Sequence, residues 1–521
     1  AFIGAGFFFE YGWILGRPNC QAGNAVARCR DPRRFQTSSL GPLQMGACPL
    51  RRTRVPIYFS SQNNPSVYFM SASSIPQPAA QSSVRRRYAI VGLGSRHELY
   101  QDGIEKTHAA TAQLVGLCDV NAGRVELARR RSAKNGATVP PGYLAADFGR
   151  MLTEAKPDTV IVTTVDATHH DYVIRAMEAG CDVITEKPMT TDAETCRRVL
   201  ATQRRTGRSC RVTFNYRYAP PRSQVKDLLM SGAIGDVLSV DFHWLLNTHH
   251  GADYFRRWHS KKEHSGGLFV HKSTHHFDLV NWWLGAMPVS VMATGKREFY
   301  TAATARRMGL TGPHERCSTC PEKSQCGFAL DLSVSPSLKA LYVDQEGYDG
   351  YLRDRCVFRD DIDIEDTMNA LVTYDTGATL SYSLNTFNAW EGYTVAFNGT
   401  KGRIEHTIVE SVYVNGTETV QGGIADGGVT TRVIPLRGEP RNVVPWSATG
   451  DHGGGDAGDG DDHEQDDQHG GAARERRREE RRRQVRLRGE RLPDRLAHPP
   501  VLAVEPLDQP HGRGLRGLDG A

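Results

Sequence analysis

The stretch Tyr88-Ala-Ile-Val-Gly-Leu-Gly94 decides the fold, because it is a short apolar strand that runs straight into two glycines. Gly92 and Gly94 permit a tight turn and let backbone N–H groups approach a pyrophosphate at a helix N-terminus. The third glycine of the usual fingerprint is missing, and His97 stands in its place. A second strand, Gln113 to Cys118, ends at Asp119, about 25 residues beyond Gly94. A carboxylate there can bind the ribose hydroxyls of an adenosine and would repel a 2′-phosphate, which favours NAD. Arg124 and a swing of Arg96 leave NADP open.

Outward from that turn the pattern stays regular. Thr159 to Val165 and Asp182 to Thr185 are further apolar runs. Between them lie helical stretches at Arg124 to Lys134, Asp171 to Ala179 and Asp192 to Arg205, the last two closed by Gly180 and Gly207. Strands alternating with helices of this length predict a doubly wound parallel sheet. After Tyr218 the rhythm changes. Val237 to Trp244, Ala370 to Tyr374, Ala378 to Leu384, Thr394 to Asn398 and Ser411 to Val414 alternate like half-buried strands. Asp375-Thr-Gly377 and Asn415-Gly416 suit hairpin turns.

Several motifs then point the same way. Thr164-Val-Asp-Ala-Thr-His169, Ala179-Gly-Cys-Asp-Val-Ile-Thr-Glu-Lys-Pro188, Phe214-Asn-Tyr-Arg217, and Gly266-Gly267 through His275-His-Phe-Asp278 follow the Gly-x-Gly strand in order. Together they resemble the glucose–fructose oxidoreductase/inositol dehydrogenase (Gfo/Idh/MocA) family over about residues 86–455. The resemblance implies an α/β fold: an N-terminal Rossmann domain over 86–217, and over 218–455 a C-terminal α/β domain with an open, mostly antiparallel sheet beside the substrate. It implies an NAD(P)-dependent oxidoreductase that moves a hydride between the nicotinamide and a sugar, polyol or related hydroxyl compound. Rival readings are an NAD-using glycosidase acting by transient sugar oxidation, and a non-catalytic NAD-binding regulator. A homo-oligomer is expected, with neither nucleic acid nor membrane as a partner.

The resemblance also assigns roles. Lys187 of Glu-Lys-Pro positions and electrostatically stabilises the reacting group, Glu186 orients the loop near the nicotinamide ribose, and Pro188 fixes the backbone as it leaves the sheet. Ser95, Arg96, Thr164 and His169 join Gly92, Gly94 and Asp119 around the cofactor. His275 matches the proton-transferring histidine, and Asp278 the acidic residue three positions on. The family often carries an aspartate where this chain has His271. That departure removes a carboxylate, makes the pocket more cationic, and suggests that Lys272 shares the acid–base role. His271 and His275, four apart, would share a helix face, with Lys272 and His276 on the neighbouring one. Asn215, Arg217, His271 and His275 are the expected substrate contacts, and Tyr254, Arg256 and Trp258 either line the pocket or pack. A His-x-x-x-His pair can hold zinc, but Lys272 would repel a cation, so no metal is expected there.

Composition closes off other classes. The chain has 521 residues, 39% hydrophobic and 24% charged, which allows ordinary cores. No run reaches about 18 apolar residues. The net charge of +5 lies mostly in the ends and says little about nucleic acid. Eleven scattered cysteines fit a reducing compartment, and a cytoplasmic location is expected. Cys317-x-x-Cys320 with Cys326 has partial metal-site spacing, with Cys356 or His314 as a further ligand. Residues 1–85 read as a leader: either an Arg-rich transit peptide, or, the preferred reading, translated upstream sequence before Met70 and its Ser/Pro/Ala linker. After Gly455 an Asp/Gly/His tract gives way to an Arg-rich one. It reads as disordered or as the product of a shifted reading frame.

Overall fold

The computed structural model describes residues 85–411 and 424–447. The expectations for the leader, for the turn at Asn415-Gly416 and for the tail after Gly455 lie outside the described residues.

Six strands form the first sheet: β1 Arg86–Val91, β2 Ala112–Asp119, β3 Gly142–Leu144, β4 Thr159–Val162, β5 Asp182–Thr185 and β6 Cys210–Val212. Their order is β3-β2-β1-β4-β5-β6 and every pairing is parallel. This is the doubly wound order, which reverses direction between β1 and β4 and opens a crevice at their carboxyl ends. The helices start and stop where the sequence says. Asn121 caps Ala122–Lys134 by accepting from the Arg124 N–H at 3.1 Å, and Asp192 caps Ala193–Thr206 by accepting from Thr195 N–H at 2.9 Å. Each cap contributes about 1 kcal/mol. Gly207 closes the second helix at φ 66°.

The second sheet has eight strands: β7 Val237–Asn247, β8 Pro288–Lys296, β9 Thr367–Tyr374, β10 Thr379–Asn388, β11 Glu391–Gly399, β12 Gly402–Ser411, β13 Val429–Pro435 and β14 Arg441–Val443. They run in the order β14-β13-β12-β11-β7-β10-β9-β8, antiparallel except for β7 beside β10. Two differences from the sequence reading have physical causes. The strand expected over Ser411 to Val414 lies, beyond Ser411, outside the described residues, and β12 was not read from the sequence. Its inward alternation Ile404–His406–Ile408 includes a histidine, which the core accepts because Nδ1 meets Thr431 Oγ1 at 2.8 Å and Nε2 meets Tyr393 Oη at 3.0 Å. The edge strand β8 was not legible because almost all of it is exposed, so it carries no alternation.

The helix Ser273–Leu284 lies on this sheet. Its His276 Nδ1 meets Tyr382 Oη at 2.7 Å, Tyr382 donates to Ser273 Oγ at 2.8 Å, and Phe277 packs on the Tyr382 ring. His276 is therefore a core residue, stacked on Trp244 at 3.9 Å. That packing turns the opposite side of the helix start, with His275, toward the first sheet. Between β8 and β9 the chain leaves the sheet as a long arm of short helices, and the arm returns to the Rossmann sheet through Tyr342, Gln345 and Asp349.

Candidate active site

A cleft of about 690 Å³ runs between the two sheets. At one end stands the Gly92–Gly94 turn. Gly92 has φ 91°, and a Cβ there would meet the Thr163 carbonyl and Thr164 nitrogen at 2.6 Å. Only glycine allows β1 and β4 to end this close together. His97 occupies the place of the missing third glycine and anchors the turn, with Nδ1 2.5 Å from the Gly94 carbonyl oxygen.

Asp119 lines this end and clamps the turn. It accepts from Leu93 N–H at 2.5 Å, Asn121 N–H at 2.8 Å and Arg124 Nε at 3.4 Å. An ionised carboxylate offers about four acceptor positions, so one remains for a ribose hydroxyl. Arg124 is buried between Asp119 and Asp349 of the arm. Ser95 N–H donates to Tyr342 Oη at 3.2 Å, and the Asn121 amide donates to the Gln345 carbonyl at 3.1 Å. The arm therefore covers the end where an adenosine fits. A glycine turn at the end of β1, a carboxylate with a spare acceptor and an extended cleft together suit a dinucleotide.

The other end is built where β5 stops. Glu186 accepts from Arg96 Nε at 2.5 Å and from Tyr100 Oη at 2.8 Å, so Arg96 is held at this end and not beside Asp119. The Lys187–Pro188 peptide is cis. His169 is buried, with one ring nitrogen 2.8 Å from the Pro188 carbonyl oxygen and the other 3.1 Å from that of Thr164. It ties the two loops together. Lys187 Nζ donates to the His271 carbonyl at 3.2 Å and stands 3.4 Å from His271 Nε2. Burial lowers the Lys187 ammonium to about 8; Asp166 and Glu186 pull it up, and Lys272 and Arg96 push it down.

The expected loss of a carboxylate at His271 needs correction. Asp166, from the loop after β4, places Oδ2 2.6 Å from His271 Nδ1, and both side chains are buried. A carboxylate therefore reaches His271 from the loop after β4. Burial holds His271 neutral, which puts its proton on Nδ1 toward Asp166 and leaves Nε2 to accept from Lys187. Burial also raises Asp166, and Lys187 opposes that rise.

His275 lines the cleft and stacks on Tyr216 at 4.1 Å. Lys272 sits where two helical pieces, Leu268–His271 and Ser273–Leu284, abut. It donates to Tyr216 Oη at 2.9 Å and lies 5.3 Å from the centroids of both Tyr216 and Trp244. Such cation–π contacts stabilise a desolvated ammonium by about 2 kcal/mol. Asn215, Tyr254 and Trp258 also line the cleft. One expected contact, Arg217, does not, and is paired instead with Asp278. Arg256, read as either lining or packing, packs: it is buried against the Phe328 carbonyl and Cys317. Asp278 is thus a partner for Arg217. Sequence reasoning missed Asp166, although it lies inside the Thr164–His169 motif. It also missed His250, whose Nδ1 is 2.6 Å from Glu391 Oε1 and whose Nε2 is 3.0 Å from Tyr254 Oη. His259, edge-on to His271 at 4.2 Å, was not found either. Nothing in local spacing marks these three, because their partners come from other elements.

A doubly wound sheet with a phosphate-ready turn, facing a lysine–histidine cluster on an antiparallel sheet, defines a nicotinamide-dependent oxidoreductase. Residues 86–214 match the oxidoreductase family's NAD-binding Rossmann fold, and residues 226–432 match its C-terminal alpha/beta domain. The chain is 38% identical to the oxidoreductase YteT of Bacillus subtilis over 322 residues, 60% of this chain and 75% of that one. It is 29% identical to the NAD-dependent scyllo-inositol 2-dehydrogenase of Bacillus subtilis over 40% of this chain and 57% of that protein. The aldose-aldose oxidoreductase of Caulobacter crescentus aligns at 17% identity with a TM-score of 0.48, over 71% of this chain and 87% of that one. The chain belongs to the Gfo/Idh/MocA family, and it is a dehydrogenase acting on CH–OH groups. No helix among the described residues is long and apolar enough to cross a membrane.

Proposed function

We propose that this chain is an NAD-dependent dehydrogenase of a sugar or polyol, with Lys187 and His275 as its catalytic residues and Lys272 assisting. The observation that carries the reading is the placement of Lys187 Nζ, 3.4 Å from the Nε2 of a histidine that is itself held by a buried carboxylate. The domains divide at about residue 217, so each catalytic segment comes from a different domain.

The Gly92–Gly94 turn and Ser95 would hold the pyrophosphate, Asp119 the adenosine ribose, and Glu186, Thr164 and His169 would shape the nicotinamide side. A nicotinamide held there would supply the hydride acceptor for the carbinol carbon. The chain's own residues manage the proton and the charge. Lys187, as an ammonium, stabilises the oxygen as it gains negative charge, and Lys272 adds to the same field. His275 takes the hydroxyl proton. Asn215 and His271 orient the substrate hydroxyls. Arg124, neutralised by Asp119 and Asp349, offers nothing to a 2′-phosphate, which supports NAD over NADP. A non-catalytic regulator would have no use for a lysine held beside a buried Asp–His pair. A second copy of the chain is the expected oligomeric partner. A panel of sugars and polyols, assayed for NADH by absorbance, tests the reading. Turnover with at least one of them is expected, and NAD binding without NADH production from any polyhydroxylated compound would overturn it.

A further inference from the structure

The arm between β8 and β9 narrows to a neck where Arg316 and Arg355 form an isolated antiparallel bridge. Cys317 N–H donates to the Asp354 carbonyl at 2.8 Å, and Cys356 N–H to the Glu315 carbonyl at 3.0 Å. Neighbours of a bridged pair point to the side opposite the pair, so Cys317 and Cys356 leave the neck on one face. A tight turn follows, in which Cys320 N–H donates to the Cys317 carbonyl at 3.2 Å, and Cys326 N–H donates to the Glu322 carbonyl at 3.1 Å. These turns bring back two more thiols. Cys317, Cys320, Cys326 and Cys356 all border one cavity of about 20 Å³, the room of roughly one water. None is disulfide-bonded.

The charge beside them is unusual. Arg256 is buried and donates to the Phe328 carbonyl and, at 3.3 Å, to Cys317 Sγ. Among the described residues it forms no ion pair with a carboxylate, and Asp253 acts on it through space. As they stand, no three ligands among the described residues are drawn into a metal-holding arrangement.

We infer that these four cysteines close on a single zinc ion as a structural tetrathiolate site at the neck of the arm. The balance is Zn²⁺ plus four thiols giving a tetrathiolate of charge −2 and four protons, with the sulfurs drawn to about 2.3 Å from the ion. The excess negative charge meets Arg256. The sequence left the fourth ligand open between Cys356 and His314; Cys356, on the return strand of the neck, is the one that borders the cavity. The site pins the two ends of the segment that carries Tyr342, Gln345 and Asp349 over the adenosine end. It stands apart from the cleft and does not depend on the proposed substrate.

The test is metal analysis of the purified full-length chain, prepared without chelator, together with thiol counting. About one zinc per chain is expected, released to a metallochromic dye as a mercurial titrates four thiols. Exchange into cobalt should give an intense thiolate-to-metal band. Cys356→Ser, which leaves the Cys317–Cys326 turn intact, should weaken zinc retention at least tenfold, so that dilute chelator strips it. Four reactive thiols with no uptake of added zinc or cobalt would overturn the proposal. So would a disulfide among the four, or iron and acid-labile sulfide in place of zinc. None of these outcomes depends on dehydrogenase activity.

Discussion

The two ends of the cleft are built on opposite electrostatic plans. At the adenosine end the cation is fully paired: Arg124 lies between Asp119 and Asp349 beneath the arm, and the row keeps one net negative charge. The chemical end differs. Lys187 is shifted down to about 8, His271 and His259 are held neutral by burial, and Lys272 stands close enough to depress Lys187 further. The first plan gives recognition without reactivity. The second leaves an ammonium whose proton is poorly held, which suits a group that must answer charge developing on a substrate.

The largest expected effect breaks the second end alone. Lys187→Ala and His275→Ala should each lower turnover by about 10²–10⁴-fold, measured by steady-state NADH production. Next comes the Asp166 carboxylate. Activity that needs Lys187 charged falls as pH rises through about 8 in the free enzyme. Asp166 is the chief influence raising that value, so Asp166→Asn should move the alkaline limb of kcat/KM down by about one unit or more. A limb that stays in place would separate Asp166 from Lys187. Lys272→Ala should lower turnover by about tenfold, since its ammonium acts on the field rather than on the proton. Little change would mean that it only packs on Tyr216 and Trp244. The smallest effect lies at the other end. Asp349→Ala frees Arg124, and the preference for NAD over NADP should fall by about tenfold or less, roughly 1 kcal/mol, as read from competing titrations.

The same contrast explains what the sequence could disclose. The Rossmann half was legible because its strands are buried on both faces and its turns need glycine, so local composition reports the fold directly. Lys187 was legible because it follows β5 at once. Asp166, His250 and His259 were not, because each is meaningful only through a partner brought from a different element. Arg217 went the reverse way: it looked like a substrate contact until Asp278 claimed it. His271 is the instructive case. Along the chain it reads as a missing carboxylate, and across the cleft it is a histidine that has found one.

The central claim is that binding and chemistry are carried by separate ends of one cleft. Titrating NAD into Lys187→Ala by quenching of intrinsic fluorescence, alongside turnover on the best sugar or polyol, tests it most directly. The account predicts an NAD dissociation constant within about a factor of five of the unaltered chain, under ~1 kcal/mol, with turnover nearly abolished. Loss of NAD binding together with turnover, or full turnover without the lysine, would contradict it.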